Sequence, residues 1–303
     1  MGMNTLLIPL LCVVSAGLAF TVLGLGYKYA SVVKSRAGSY GSVFAGAACC
    51  VGLARSLFEA SAWGDWRLWI LGASFGLAFT LCFTLFTHAN RIGPVAVSWV
   101  MLNLSSLMAI ALTVVFFNEP ARWVDIPILA LFTGMILLLN AGSRAPAKDG
   151  AKTAAGLVFW LCALAAFCLN GLGLFIWKIK GNTFPTGSNG AVLAVSFGLA
   201  AVLLTAFHVA GGRRNRPHEP LWRREDVKAG LMTGVCAAVG NVFLLGAMSL
   251  PAMVVYPLSQ GVPMVGGVVA MAVFFRERFN TAKTASLLLS VVVLLLALFR
   301  DKI

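Results

Sequence analysis

Gly93-Pro94-Val95-Ala96-Val97-Ser98-Trp99 opens a long apolar run that closes on Phe116-Phe117-Asn118-Glu119. Leu250-Pro251-Ala252-Met253-Val254-Val255-Tyr256 opens a second run, and that one closes on Phe274-Phe275-Arg276-Glu277. Proline, aromatic, amide, double phenylalanine and glutamate recur in the same order. The two runs are one motif used twice: an apolar helix of membrane-crossing length with a charged cap. Such an internal echo, more than any catalytic motif, decides how the rest of the chain reads.

Working outward, 60% of the 303 residues are hydrophobic and 11% are charged, and the mean hydropathy is +0.91. These values lie outside the range of soluble domains. A helix needs roughly 20 apolar residues to cross about 30 Å of hydrocarbon. Ten such spans can be drawn, at 4–26, 39–57, 67–88, 93–117, 121–140, 153–177, 189–210, 228–249, 251–275 and 279–299. The turns between several of them are a few residues long, which leaves no room for a separate soluble domain. The expectation is an all-α integral membrane protein of ten transmembrane helices, multi-pass in the cell (inner) membrane and in contact with membrane lipids.

The first span lacks the basic flank, short apolar core and Ala-x-Ala site of a secretory signal, and is read as retained. Cys12 follows Leu10-Leu11 where a lipoprotein site needs small residues, and Leu6 stands where a myristoylated Gly2 would need Ser or Thr. All seven cysteines fall inside predicted spans without metal or disulfide spacing, which makes them small apolar packers. The formal charge of +13 suits cytoplasmic loops beside anionic lipid rather than nucleic acid. Sixteen Lys and Arg fall after odd-numbered spans and seven on the other side. The positive-inside rule then turns both termini away from the cytoplasm and puts the basic 211–228 loop inside it.

The polar, Gly- and Pro-bearing stretch 140–150 separates five spans from five. Residues 1–142 form the first repeat and 151–303 the second. Because five is odd, the second repeat enters from the opposite face, so the two are related by an axis in the membrane plane, an inverted repeat. A weaker echo pairs Gly24-Leu25-Gly26 with Gly171-Leu172-Gly173. Gly72/Gly76 and Gly230/Gly234 are small-xxx-small pairs that allow close helix approach, and a homo-oligomer is allowed.

Tyr256-Pro257-Leu258-Ser259-Gln260-Gly261, then Gly266-Gly267 and Phe274-Phe275-Arg276-Glu277-Arg278, together with the matched earlier segment, resemble the drug/metabolite transporter (DMT) superfamily of the ten-helix EamA-like kind. The last stretch is also similar to the closing helices of small multidrug resistance proteins. The resemblance implies a basket of helices, a central cavity, alternating access, and fifth and tenth spans packed at the periphery.

Polar side chains at hydrocarbon depth must find a partner or a water-filled cavity, so they are the candidate site. Trp99, Asn103 and Ser106 share one face of span four, and Tyr256, Gln260 and Pro263 share one face of span nine. At an offset of 157, Trp99 corresponds to Tyr256, Asn103 to Gln260 and Ser106 to Pro263. An aromatic one turn before an amide in each half provides stacking and hydrogen-bonding groups for a solute. The competing reading is interhelical adhesion, at about 1 kcal/mol per amide. Asn170 and Asn241 are further candidates, ahead of Ser15, Thr21, Thr80 and Thr84, whose hydroxyls tend to bond their own backbone. Pro257 and Pro263 each remove a donor and flank Gly261, so span nine is expected to bend or unwind there, as a hinge or as a static kink.

All ten acids sit at span ends or in loops. The first helix therefore lacks the embedded glutamate on which small multidrug resistance proteins depend. Glu119 and Glu277 are expected to pair with Arg122, Arg276 and Arg278 at the interface. His88, His208 and His218 lack metal-ligand spacing, and no Walker A segment, nucleophile elbow or zinc motif occurs. No cofactor or metal is expected. The sequence favours a permease for a small neutral or zwitterionic solute. The alternatives are an integral-membrane enzyme acting on lipid or a small-multidrug-type drug exporter.

Overall fold

The computed structural model describes residues 3–59, 63–93, 95–120, 122–142, 156–215, 220–275 and 281–300. Its described residues form ten helices and no strand: α1 (Met3–Val32), α2 (Ala37–Ser56), α3 (Trp66–Ile92), α4 (Val95–Phe117), α5 (Asp125–Gly142), α6 (Leu157–Thr183), α7 (Asn189–Asn215), α8 (Arg224–Gly246), α9 (Ala252–Phe275) and α10 (Thr281–Phe299). Among those residues, α1 to α4 and α6 to α8 contain seven segments long and apolar enough to cross a membrane. Shorter apolar stretches lie in α5 and α10, at Asp125–Leu138 and Thr284–Ala297.

Several helices overrun the apolar runs, α1 and α6 furthest at their C-terminal ends. Helix α1 continues to Val32 and α6 to Thr183, which carries Lys28, Lys178 and Lys180 into helix. Hydropathy measures hydrocarbon depth, whereas helix continuation needs only backbone bonding and tolerant side chains, and lysine is a good helix former. Helix α4 ends where Asn118 takes φ 49°, the left-handed cap position that asparagine accepts most readily after glycine. Helix α1 ends likewise at Lys34, φ 50°, with Ser35 N bonding Ala30 O at 2.9 Å in the 6→1 pattern of a Schellman cap. Helix α9 is continuous through Pro257, Gly261 and Pro263. The expected unwinding is therefore absent: each proline costs one backbone donor, and neighbouring turns keep theirs.

The chain divides into two compact units that do not follow the sequential halves. One comprises Met1–Thr80 with Ile179–Ser249, the other Leu81–Lys178 with Leu250–Ile303. In the first unit α2 packs on α7 and α8, and α1 packs on α8. Close approach depends on glycine. A Cβ on Gly72 would lie 2.9 Å from Val192 O of α7, and one on Gly52 would lie 2.6 Å from Ala194 N. Gly76 faces Ser196 O of α7, and Gly230 and Gly234 face Tyr40 O and Phe44 O of α2. Both small-xxx-small pairs thus sit where backbones nearly touch, as close helix approach requires. Around Phe44 the rings of Tyr27, Tyr40, Phe79 and Phe197 assemble at centroid distances of 5.6–6.5 Å. The charges at one end of this unit are paired: buried Asp226 meets Arg36 Nε at 3.3 Å and Arg223 Nη2 at 3.2 Å.

In the second unit α5 packs on α10, and α4, α9 and α10 complete the packing. Ile128, Phe132, Met135, Ile136 and Val293 are its fully buried core. Asp125 and Arg300, both buried, form a bidentate pair at 2.5 and 2.8 Å that ties the start of α5 to the end of α10.

Glycine contacts give a paired test. Gly234→Ala drives a methyl into the Phe44 carbonyl and is expected to cost about 1–3 kcal/mol. Gly46→Ala, in the middle of α2 with nothing near the added atom, is expected to be neutral or to gain up to about 1 kcal/mol from helix propensity. Thermal unfolding of the full chain in detergent distinguishes the two.

Candidate functional site

Six of the seven candidate solute-binding residues lie in the second unit: Trp99, Asn103 and Ser106 on α4, Asn170 on α6, and Tyr256 and Gln260 on α9. Asn241 lies on α8 in the first unit, where its Nδ2 donates to Ala237 O at 2.8 Å, one turn back on its own helix.

Three helices of the second unit are locked in register by long-range contacts. Asn170 Nδ2 donates to Ser105 Oγ at 2.7 Å and to Leu102 O at 3.2 Å, joining α6 to α4. Two turns on, Lys178 Nζ meets Glu119 Oε1 at 2.8 Å, so α4 and α6 run parallel. The hydroxyl of fully buried Tyr256 donates to Leu174 O at 2.9 Å, and Lys178 Nζ donates to Leu250 O at 2.6 Å. Helix α9 therefore runs antiparallel to α6. One turn back from Leu174 is Asn170, and one turn on from Tyr256 is Gln260. The register thus sets Gln260 at the level of Asn170, on the side of α9 that carries Tyr256.

At this level the amides Asn103, Asn170 and Gln260 are half-buried within α4, α6 and α9, while Ser105, Ser106 and Tyr256 are fully buried. Asn103 Nδ2 donates to Trp99 O at 2.8 Å, and Ser106 Oγ donates to Asn103 O at 2.9 Å. The Trp99 ring meets Phe86 of α3 edge-on at 5.1 Å. Ser105, which sequence reasoning passed over, is the residue that receives Asn170. Serine one position from a candidate gives no sequence signal of its own. Close approach of α6 to α4 again rests on a glycine, since a Cβ on Gly171 would lie 2.9 Å from Ser105 O.

The charges above this layer differ from the sequence expectation. Glu119 pairs with the distant Lys178, and its Oε2 also accepts from Ala252 N at 2.8 Å, capping the start of α9. Arg122 turns to the other end of its segment, where its backbone N donates to Asp125 and its guanidinium donates to Arg300 O. Glu277, Arg276 and Arg278 lie outside the described residues. Lys178, read from sequence as a loop charge, is buried, and so is Lys180 in the first unit, where it bonds Asn189 Oδ1. Also in the first unit, Glu59 accepts from Ser188 Oγ and from Gly190 N at the start of α7. Glu119 and Glu59 each follow an even-numbered helix and each cap a helix of the other half, a relation that no local motif announces.

A cavity of about 320 Å³ opens in the first unit between Gly64, Asp65 and Leu68 and the 183–187 turn. None of the candidate residues lines it. His208 Nε2 lies 2.7 Å from Leu221 O and its ring packs beside Trp222, so it is a structural contact. Among the described residues no three His, Cys, Asp or Glu side chains gather as a metal site.

No family model and no curated protein matches the chain. Solved structures do. One, described only as the crystal structure of a protein, superposes with a TM-score of 0.76, covering 97% of this chain and 97% of its own, at 16% sequence identity. At that identity the likeness is one of fold.

The Glu119–Lys178 pair yields a stability test. Removing one partner of a buried pair leaves the other uncompensated, at about 3–5 kcal/mol. Glu119→Gln and Lys178→Met should each destabilise the detergent-purified chain by that order. The double variant should cost less than the sum of the two, and additive losses would show that the pair is not coupled.

Proposed function

We propose that the chain is a secondary transporter of the cell membrane, moving a small neutral or zwitterionic solute by alternating access, with ten spans arranged as two inverted five-helix repeats. The observation that carries this reading is the polar layer of α4, α6 and α9. The half-buried amides Asn103, Asn170 and Gln260 sit there inside their helices, beside half-buried Trp99 and the buried hydroxyls of Ser105, Ser106 and Tyr256, where hydrocarbon tolerates polar groups only beside protein partners or a hydrated path.

Helix pairing supports the repeat. Within single units α2 packs on α7, α4 on α9 and α5 on α10, each helix against its counterpart five places on. The α2–α8 contact has its mate in α7–α3, at Gly72 and Gly76. Likewise α1–α8 corresponds to α6–α3, where Cys82 Sγ lies 3.5 Å from Ala166 O. A fold in which an element and its repeat copy pack together in this way suits proteins whose site lies near the pseudo-twofold axis.

Surface residues support the membrane setting. Phe58, Trp63, Trp66 and Trp69 are exposed around the α2–α3 turn, with Arg67 lying 6.0 Å above the Trp66 ring. Trp123 is exposed just before α5. Interfacial belts have this composition. Burial of Lys178 and Lys180 removes two cations from the less basic side of the count, which strengthens the charge asymmetry.

Two tests follow. A reporter in the 211–228 loop is expected to read cytoplasm and one at the C-terminus to read outside; a cytoplasmic C-terminus would reverse the orientation. For transport, metabolite levels inside and outside cells that overproduce the protein are compared with those of cells carrying Asn103→Leu/Gln260→Leu at equal membrane abundance. The wild-type change in its solute is expected to fall at least tenfold in the variant. An unchanged profile would remove the polar layer from the transport path.

A further inference from the structure

The cavity of the first unit, between the α2–α3 turn and the 183–187 turn, has no part in the transport reading, and its lining has a chemistry of its own. Asp65 starts α3: its Oδ1 accepts from Arg67 N at 2.9 Å and its carbonyl from Leu68 N at 3.1 Å. A carboxylate carries two acceptor oxygens. Among the described residues Asp65 Oδ2 receives no donor. Capping therefore uses half of a charged group that also lines a cavity of about 320 Å³.

The other wall begins at Thr183, the last residue of α6, and the carbonyl end of a helix carries partial negative charge. Thr183 and Thr186 add hydroxyls, which accept as well as donate. Several backbone donors of the lining are already engaged. The N–H groups of Leu68, Phe184 and Gly187 bond Asp65 O, Lys180 O and Phe184 O, and Pro185 has none. A carboxylate oxygen without a partner and a helix C-terminus both favour a cation. The volume stands at the lower end of ligand sites, which suits a head group and not a whole lipid.

The surroundings say at what depth the cavity lies. Trp63, Trp66 and Trp69 are exposed on the same turn and the start of α3. Indoles gather at the headgroup level of a bilayer. Arg67 is exposed too, over the Trp66 ring, and has no ion-pair partner among the described residues. A carboxylate in the cavity and an unpaired guanidinium two residues along the chain thus occur together at headgroup depth.

We propose that this cavity binds the head group of a zwitterionic phospholipid, with its primary ammonium beside Asp65 Oδ2 and its phosphate beside Arg67. A primary ammonium has three N–H groups to share with the carboxylate and the threonine hydroxyls. A trimethylammonium has none, and a site built to hydrogen-bond its ligand discriminates against an analogue without the donor. A glycerol head group brings no cation to offset Asp65. The proposal rests on the membrane setting and is independent of transport.

The test uses the full chain, purified in detergent and stripped of lipid. Dioleoyl-phosphatidylethanolamine, dioleoyl-phosphatidylcholine and dioleoyl-phosphatidylglycerol are titrated in mixed micelles, and bound lipid is counted by native mass spectrometry. The ethanolamine lipid is expected to bind at least tenfold more tightly than either other. Asp65→Asn keeps an acceptor for the α3 cap and is expected to abolish that preference with the lipid-free unfolding midpoint unchanged. Gly64→Leu, whose added Cβ meets nothing within 4 Å, is expected to block the cavity and lose the preference too, and it decides the matter if Asp65→Asn does not fold. Arg67→Gln is expected to weaken the ethanolamine lipid at least threefold, and unchanged binding there would overturn the phosphate assignment. Equal binding of the three lipids, tightest binding of the choline or glycerol lipid, or a preference that survives either folded cavity variant would overturn the site. Competition by soluble O-phosphoethanolamine at the concentrations where the lipid binds would overturn the lipid source and reassign the cavity to a soluble amine.

Discussion

Polar groups on apolar helices must be satisfied close at hand, and in this chain the commonest satisfier is the carbonyl one turn earlier. Thr21 bonds Gly17 O, Thr80 Gly76 O, Thr113 Ala109 O, Thr133 Leu129 O, Ser196 Val192 O and Thr233 Ala229 O. Asn103 and Asn241 do the same with Nδ2. These bonds satisfy hydroxyls and amides within apolar surroundings, and helix faces remain available for packing through glycine. Other polar groups cross between helices, as Ser286 of α10 does to Met135 O of α5, and two of them, Asn170 and Tyr256, set the register of α4, α6 and α9.

Charges obey the same constraint at higher stakes. Asp125 with Arg300, Asp226 with Arg36 and Arg223, and Glu119 with Lys178 each join helix ends far apart in sequence. A buried pair is weak evidence for net stability, but each of these fixes which ends meet. Glu119 adds a cap on α9, because its second oxygen takes the Ala252 N–H that the helix leaves over.

Ten apolar runs were legible as helices because period and length are local properties. Close packing at Gly72, Gly76, Gly230 and Gly234 was legible too, since small residues four apart leave few other readings. Partners were not. Glu119 has Arg122 three residues away and Lys178 fifty-nine away, and only the fold shows that the distant lysine arrives. Lys178 and Lys180 follow an apolar run and resemble loop charges until α6 is seen to carry them on as helix. Of the candidate layer, the matched pairs Trp99 with Tyr256 and Asn103 with Gln260 could be read from the repeat. That Asn170 joins them through Ser105 depends on α6 lying parallel to α4, which one sequence does not disclose.

The central claim is that the half-buried layer of α4, α6 and α9 is reached by water and solute while exposed apolar faces meet lipid. Cysteine accessibility tests it most directly. With the seven native cysteines replaced, Asn103→Cys and Gln260→Cys are compared in sealed vesicles with Leu288→Cys, at an exposed apolar position on α10, using a membrane-impermeant thiol reagent. The account predicts labelling at 103 and 260 and none at 288. If 103 and 260 are as inert as 288, the layer is helix adhesion and not a solute path.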